Sequence, residues 1–233
     1  MSTHYDPSLS YRADIGIFVR ERLLRTPNAL KIPAVGLDLF VVRDFLTKEE
    51  CDEVIARIDE DRIPSGLLAP SADPEFRTSE SCNLRISDPV NQRVQQKIDS
   101  LTGIEPSHGE TIQGQRYAVG QQFKEHHDFF YTSESYWPEQ EKIGGQRTWT
   151  AMVFLNEPEA GGQTWFTKAN VRVTPRTGNL LAWNNLDQYG QPNPYSLHTG
   201  MPVGAGVKYV ITKWYRERPW GYQPGSPAPA GPY

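Results

Sequence analysis

The chain has 233 residues, 37% hydrophobic and 22% charged, with a formal net charge of −4. Nothing approaches the ~20 apolar residues of a membrane span, so the composition reads as that of an ordinary globular protein with no membrane role. The acidic balance argues against a nucleic-acid partner, because binding phosphates takes clustered Lys and Arg.

The first residues lack the basic flank and apolar run of a secretory signal, which predicts a cytoplasmic location. Cys51 and Cys82 are too few for a disulfide scaffold and predict reduced thiols without a role. The expected organisation is one domain over 1–218, helical to about 105 and β-rich from about 106, followed by a tail over 219–233.

Residues 12–26 carry Ile15, Phe18, Leu23 and Leu24 at near-helical spacing, which predicts an amphipathic helix ended by Pro27. A short strand is expected over 37–45. Thr47, with Glu50 three positions on, forms a capping box that opens a helix running through Ile58. A further helix is expected over 89–101. Between these two helices, residues 63–82 are rich in Pro, Ser and Gly and read as a long mobile loop, a lid candidate.

From residue 110 the texture changes to short strands separated by Gly, Pro and Asn: 111–119, 123–129, 147–156, 163–166, 171–174, 179–183, 196–201 and 207–215. That rhythm predicts an antiparallel sandwich or jelly roll. Residues 130–146 interrupt it as a polar insertion, a second lid candidate. The tail from Pro219, dominated by Pro, Gly and Ala, cannot form a packed element and reads as extended or disordered.

The chemistry concentrates in two places. Within Phe123-Lys124-Glu125-His126-His127-Asp128, an H-x-D pair on an extended strand projects both side chains to one face. With a distant third ligand at His198, the pair completes a two-histidine, one-carboxylate triad, which leaves coordination positions open for oxygenase chemistry. Strand alternation turns His127 to the opposite face, where no carboxylate accompanies it. His4 and His108 are expected at the surface.

Lys208 follows His198 on the next predicted strand, so a hairpin would bring them close. 2-Oxoglutarate chelates iron through its 2-oxo and C1 carboxylate groups, and its C5 carboxylate needs a buried cation, since an unpaired buried charge is costly. Lys208 is the candidate, against the alternative of a solvated edge-strand lysine.

With these residues in hand, the chain resembles the prolyl 4-hydroxylase family of Fe(II)- and 2-oxoglutarate-dependent dioxygenases. The resemblance covers about residues 36–216. It rests on Tyr117, Gly120, Phe123, His126 and Asp128, on Gly144-Gly145-Gln146-Arg147, and on Gly161, Gly162 and Thr164. Ser196, Leu197, His198, Gly200, Pro202 and Val203 follow, then Lys208 and Thr212-Lys213-Trp214. Ala160 and Gln163 replace two acids of the family pattern, Phe154 stands where a Tyr is common, and Phe123 and Glu80 depart on the substrate side.

The resemblance implies a double-stranded β-helix core with flanking N-terminal helices. It implies iron, 2-oxoglutarate and dioxygen as cofactors and cosubstrates, with ascorbate as reductant. Tyr117 and Thr150 are expected to line the 2-oxoglutarate pocket beside Lys208, and Arg147, Trp214 and Arg77 to contact a peptide or protein substrate. The expected reaction is hydroxylation of a peptidyl residue, proline first, with release of succinate and carbon dioxide. A hydroxylase of a free amino acid or other small metabolite is the alternative, and a non-catalytic jelly-roll binding module the remote one.

Overall fold

The computed structural model describes residues 7–69 and 71–221. His4 and the tail from 222 onward lie outside the described residues. The helices are α1 (Pro7–Arg25), α2 (Lys48–Asp61), α3 (Pro89–Thr102) and α4 (Trp137–Lys142). The first strands are β1 (Ala29–Lys31), β2 (Leu39–Val42), β3 (Ile63–Pro64), β4 (Glu80–Asn83), β5 (Gln113–Tyr117), β6 (Phe123–His126) and β7 (Arg147–Phe154). Then come β8 (Ala160–Gly161), β9 (Thr164–Phe166), β10 (Val171–Val173), β11 (Leu180–Asn184), β12 (His198–Gly200), β13 (Val203–Ala205) and β14 (Lys208–Arg216).

Local chemistry sets the two central helices. Thr47 Oγ1 accepts from the Glu50 N–H at 3.2 Å while Glu50 Oε2 accepts from the Thr47 N–H at 2.9 Å, the expected capping box. Asp88 caps α3 by accepting from the Val90 N–H at 2.8 Å, and Gly103 ends it at φ 71°. The apolar stripes Cys51, Val54 and Ile58 on α2 and Val90, Val94 and Ile98 on α3 are buried.

An eight-stranded antiparallel sheet in the order β1-β2-β11-β7-β14-β5-β4-β3 faces a four-stranded sheet, β10-β9-β12-β6, and a two-stranded one, β13-β8, completes the jelly roll. Alternation along the strands divides the interior. On β7, Trp149, Ala151 and Val153 face the helices, while Met152 and Phe154 face the second sheet. On β14, Lys208, Val210, Thr212 and Trp214 line an inner cavity, and Ile211 and Tyr215 join the helix-side core. Burying each large apolar side chain contributes about 1.5–3 kcal/mol.

Three expectations change. The 63–82 segment is tied to the large sheet by β3 and β4 and by a bridge from Arg77 to Phe123. The 130–146 insertion holds α4, and its ends are closed by the Gln146 amide, which accepts from the Phe130 N–H at 2.6 Å and donates to the Phe130 carbonyl at 2.9 Å. His108 is buried, not on the surface: a short turn tucks it under β14, where Nδ1 donates to the Arg216 carbonyl at 3.1 Å. At the start of the tail, the N–H groups of Trp220 and Gly221 donate to Ser107 and Ile143.

Candidate active site

His126, the last residue of β6, lies opposite His198, the first residue of β12, in the antiparallel ladder. Their ring centroids are 4.2 Å apart. Asp128 follows just beyond the strand end, and one donor atom from each of the three residues lies within 4.8 Å of the others, a group that can hold a metal ion. Each imidazole is oriented by its own neighbourhood. His126 Nδ1 donates to the Lys124 carbonyl at 2.7 Å and His198 Nδ1 to the Ser196 carbonyl at 2.9 Å, which leaves both Nε2 lone pairs for a ligand.

Packing fixes the rings. Phe123 stacks on His126 at 3.6 Å between centroids, and Phe166 and Trp183 flank His198. Burial, with His198 alongside, pushes the His126 imidazole down to about 3, so the ring is neutral and available as a donor. Burial works to raise the Asp128 carboxyl, but the two histidines, Arg147 and a hydrogen bond from Thr150 outweigh it and hold it below the usual carboxylate range. His127 turns away, as alternation predicts, against Phe129 and Tyr131.

Thr150 is fully buried beside the metal group. Its hydroxyl donates to Asp128 Oδ2 at 2.8 Å and accepts from Asn185 Nδ2 at 2.8 Å. Register places it there: Thr150 points inward level with Trp214 and Trp183, at the Asp128 end of the strand.

Lys208 and Tyr117 face one another across β14 and β5. Lys208 is 2% exposed, its ammonium lies 5.3 Å from the Tyr117 ring and 5.7 Å from the Phe154 ring, and no carboxylate among the described residues pairs with it. Burial alone brings it down to about 7. A buried cation with no anion is what a ligand carboxylate would complete. The buried Thr164 hydroxyl, lining the same cavity, also lacks a partner among the described residues. Gly162, at φ 69°, makes room: a Cβ there would stand 3.2 Å from Lys208 Cδ. Tyr117 donates to Gln115 Oε1 at 3.0 Å.

An outer cleft of about 840 Å³ meets this inner cavity at Phe123, His126, Asp128 and Trp214. Arg147, Arg77 and Trp214 all line it. Arg147 is clamped on Glu110 through Nε at 2.6 Å and Nη2 at 2.7 Å, and its guanidinium lies 4.2 Å from the Trp214 ring. Arg216 Nε adds a third bond to Glu110 at 2.5 Å. Arg77 Nη1 donates to the Gly66 carbonyl at 3.0 Å and Nη2 to Gln113 Oε1 at 2.7 Å. These arginines therefore brace the walls.

Comparison with known proteins decides the family. Residues 112–216 match the model of the 2OG-Fe(II) oxygenase superfamily. Prolyl 4-hydroxylase 2 of Arabidopsis thaliana is 30% identical over 215 residues, covering 81% of this chain and 70% of the relative. The chain belongs to the prolyl 4-hydroxylase family. It is thus a 2-oxoglutarate-dependent dioxygenase that uses iron and dioxygen. Among solved structures, the viral collagen prolyl hydroxylase of Paramecium bursaria Chlorella virus-1, in complex with 2-oxoglutarate, superposes with a TM-score of 0.61 at 26% identity, over 76% of this chain and 95% of that one. A Trichoplax adhaerens prolyl hydroxylase, in complex with a hypoxia-inducible factor peptide fragment, shares the fold at a TM-score of 0.61 and 17% identity, over 92% and 94%.

Sequence reasoning missed Glu110, Gln115, Asn185 and the part Trp183 plays against His198. Inward positions on β5 and β11 were readable from alternation, but Glu110 and Asn185 lie outside any periodic run. No described helix is long and apolar enough to cross a membrane.

Proposed function

We propose that this oxygenase hydroxylates prolyl residues within peptides, with iron held by His126, Asp128 and His198 and the C5 carboxylate of 2-oxoglutarate by Lys208. One observation carries the preference for a peptide over a free amino acid: the buried acid of the cleft wall is already paired. Glu110 is bound by Arg147 and Arg216, so this carboxylate is not free to receive a zwitterion's ammonium. An open cleft of mixed polar and aromatic lining that runs to the metal group suits an extended chain, with Trp214 as a flat surface for a proline ring.

When bound, iron with 2-oxoglutarate supplies the oxidant, dividing dioxygen between succinate and the hydroxylated product. The protein's own part is placement. Nδ1 hydrogen bonds fix both imidazoles, Thr150 holds one Asp128 oxygen so that Oδ1 is the one turned toward His126, and Phe123 and Trp183 keep water from the rings. Arg147 retains one N–H on each terminal nitrogen for a peptide carbonyl while Glu110 keeps its plane against Trp214.

The test is a matched pair, a short proline-rich peptide and free L-proline, assayed for succinate coupled to a product heavier by one oxygen. Coupled turnover of the peptide is expected. Turnover of the free amino acid with none of the peptide overturns this reading in favour of a small-molecule hydroxylase.

A further inference from the structure

We propose that the peptide this oxygenase takes carries a carboxylate close to the hydroxylated proline, and that Arg77 receives it; this rests on the peptidyl-proline reading above and adds the charge of the substrate to it. Arg77 lines the outer cleft on the 63–82 segment, and a backbone bridge to Phe123 holds it against the strand that ends in His126. Its guanidinium lies 4.7 Å from the centre of the Phe123 ring, which in turn stacks on His126 at 3.6 Å. The cation is thus one aromatic layer away from a metal-ligating side chain.

The kind of partner sets Arg77 apart. Arg147 and Arg216, which line the same cleft, are both held by the Glu110 carboxylate. Arg77 donates instead to neutral oxygens, the Gly66 carbonyl and the Gln113 side-chain amide, and no carboxylate among the described residues pairs with it. Its Nε–H, and one N–H on each terminal nitrogen, have no partner there. Burial pushes the guanidinium down; the acid that acts against this is Asp128, and Arg147 works with the burial. Asp128 belongs to the metal group, where a bound divalent ion takes up its charge. A buried cation without an anion of its own is costly, and a ligand carboxylate offsets that cost through two parallel N–H···O bonds, each roughly twice as strong as a neutral one. Gln113 Oε1 also accepts from Gln115 Nε2 at 2.9 Å, so it keeps a donor when the guanidinium turns to a ligand.

The remaining acid of the cleft lining sets the side. Glu134 is exposed on the 130–146 insertion and repels a peptide acid there, which directs it to the 63–82 wall. At ~3.1 Å per residue of extended chain, the offset of Arg77 from the metal group corresponds to roughly one to three positions from the hydroxylated proline. An Asp or Glu side chain and a free chain end supply the same carboxylate chemistry.

The experiment uses the whole chain with Fe(II), 2-oxoglutarate and ascorbate, and proline peptides with both ends capped that differ only in a Glu or a Gln placed one, two or three positions from the proline. A further pair, neutral along its length, ends two residues after the proline as the free acid or as the amide. A preference in kcat/KM of about 10-fold or more is expected for Glu over Gln at one of these positions, or for the free acid over the amide, which identifies the source of the carboxylate. That ratio is expected to fall to near one in Arg77→Gln, and in Arg77→Glu a Lys peptide should be preferred over the Glu peptide. Equal kcat/KM within every pair in the parent protein, a comparison that needs no variant, overturns this inference alone, as does a preference that survives in Arg77→Gln. Turnover of free L-proline with none of the peptides overturns the peptidyl-proline reading together with this one.

Discussion

Thr150 Oγ1 donates to Asp128 Oδ2 at 2.8 Å, and the hydroxyl is itself held by Asn185. All three side chains are buried. A carboxylate that must present one oxygen to a metal needs its other oxygen satisfied, or burial will favour protonation or rotation. Thr150→Val removes that donor at nearly constant volume and is expected to weaken Fe(II) or Mn(II) binding by about 10–100-fold, the usual range for such supporting contacts. Thr150→Ser restores most of it. Metal titration of the three proteins is the check, and equal affinities would show the hydrogen bond to be incidental.

Glu110 is a buried acid held by two buried or nearly buried arginines, Arg147 and Arg216. Burial raises its carboxyl, but the guanidiniums outweigh this and hold it below the ordinary range. Glu110→Ala strands both cations and is expected to cost about 3–5 kcal/mol of folding stability. It also frees Arg147 from the Trp214 face. Urea unfolding measures the first effect, and a raised peptide KM at unchanged 2-oxoglutarate KM measures the second.

Gly162 sits at φ 69°, and a Cβ there would press Lys208 Cδ at 3.2 Å. Gly162→Ala is expected to cost roughly 1 kcal/mol or more in backbone strain alone. Because the lysine stem must also give way, the 2-oxoglutarate dissociation constant should rise while metal affinity holds. Calorimetric titration separates the two.

Period-2 patterning made much of this legible. The strand expected over 207–215 formed and carries both Lys208 and Trp214 on one inner face, and the capping box at Thr47 and Glu50 fell where expected. What stayed hidden has physical reasons. Strands of two to four residues such as β3 and β4 carry too few alternations to register, and form because they pair at a sheet edge. Thr150 was readable as an inward strand residue, but its partner depends on which neighbour lies level with it, a matter of register between strands far apart in sequence. His108 was hidden for a similar reason, since the Arg216 carbonyl that it binds is 108 residues away.

The environment of Lys208 sets two opposing effects. Burial without an anion depresses its folded-state value from the ordinary 10.5 to about 7. The sign follows from proton counting: between about pH 7 and 10.5 the unfolded chain binds more protons at this site than the folded one, so stability without ligand gains with rising pH across that window. Below about 7 both states are charged and the full cost of burying the ammonium is present. Lys208→Met removes the charge at similar length, so the ligand-free variant is expected to be more stable than the parent at pH 6–7, a comparison that thermal melts at several pH values would make. The same variant leaves the C5 carboxylate of 2-oxoglutarate without a partner, which at about 3–5 kcal/mol corresponds to ~10²–10³-fold or more in affinity. In the parent, a bound carboxylate raises the lysine again, so 2-oxoglutarate binding at pH 8 should take up a proton. Titration calorimetry in buffers of different ionisation enthalpy reads that uptake directly. Binding with no proton exchange in the parent, or undiminished affinity in Lys208→Met, would place the carboxylate elsewhere.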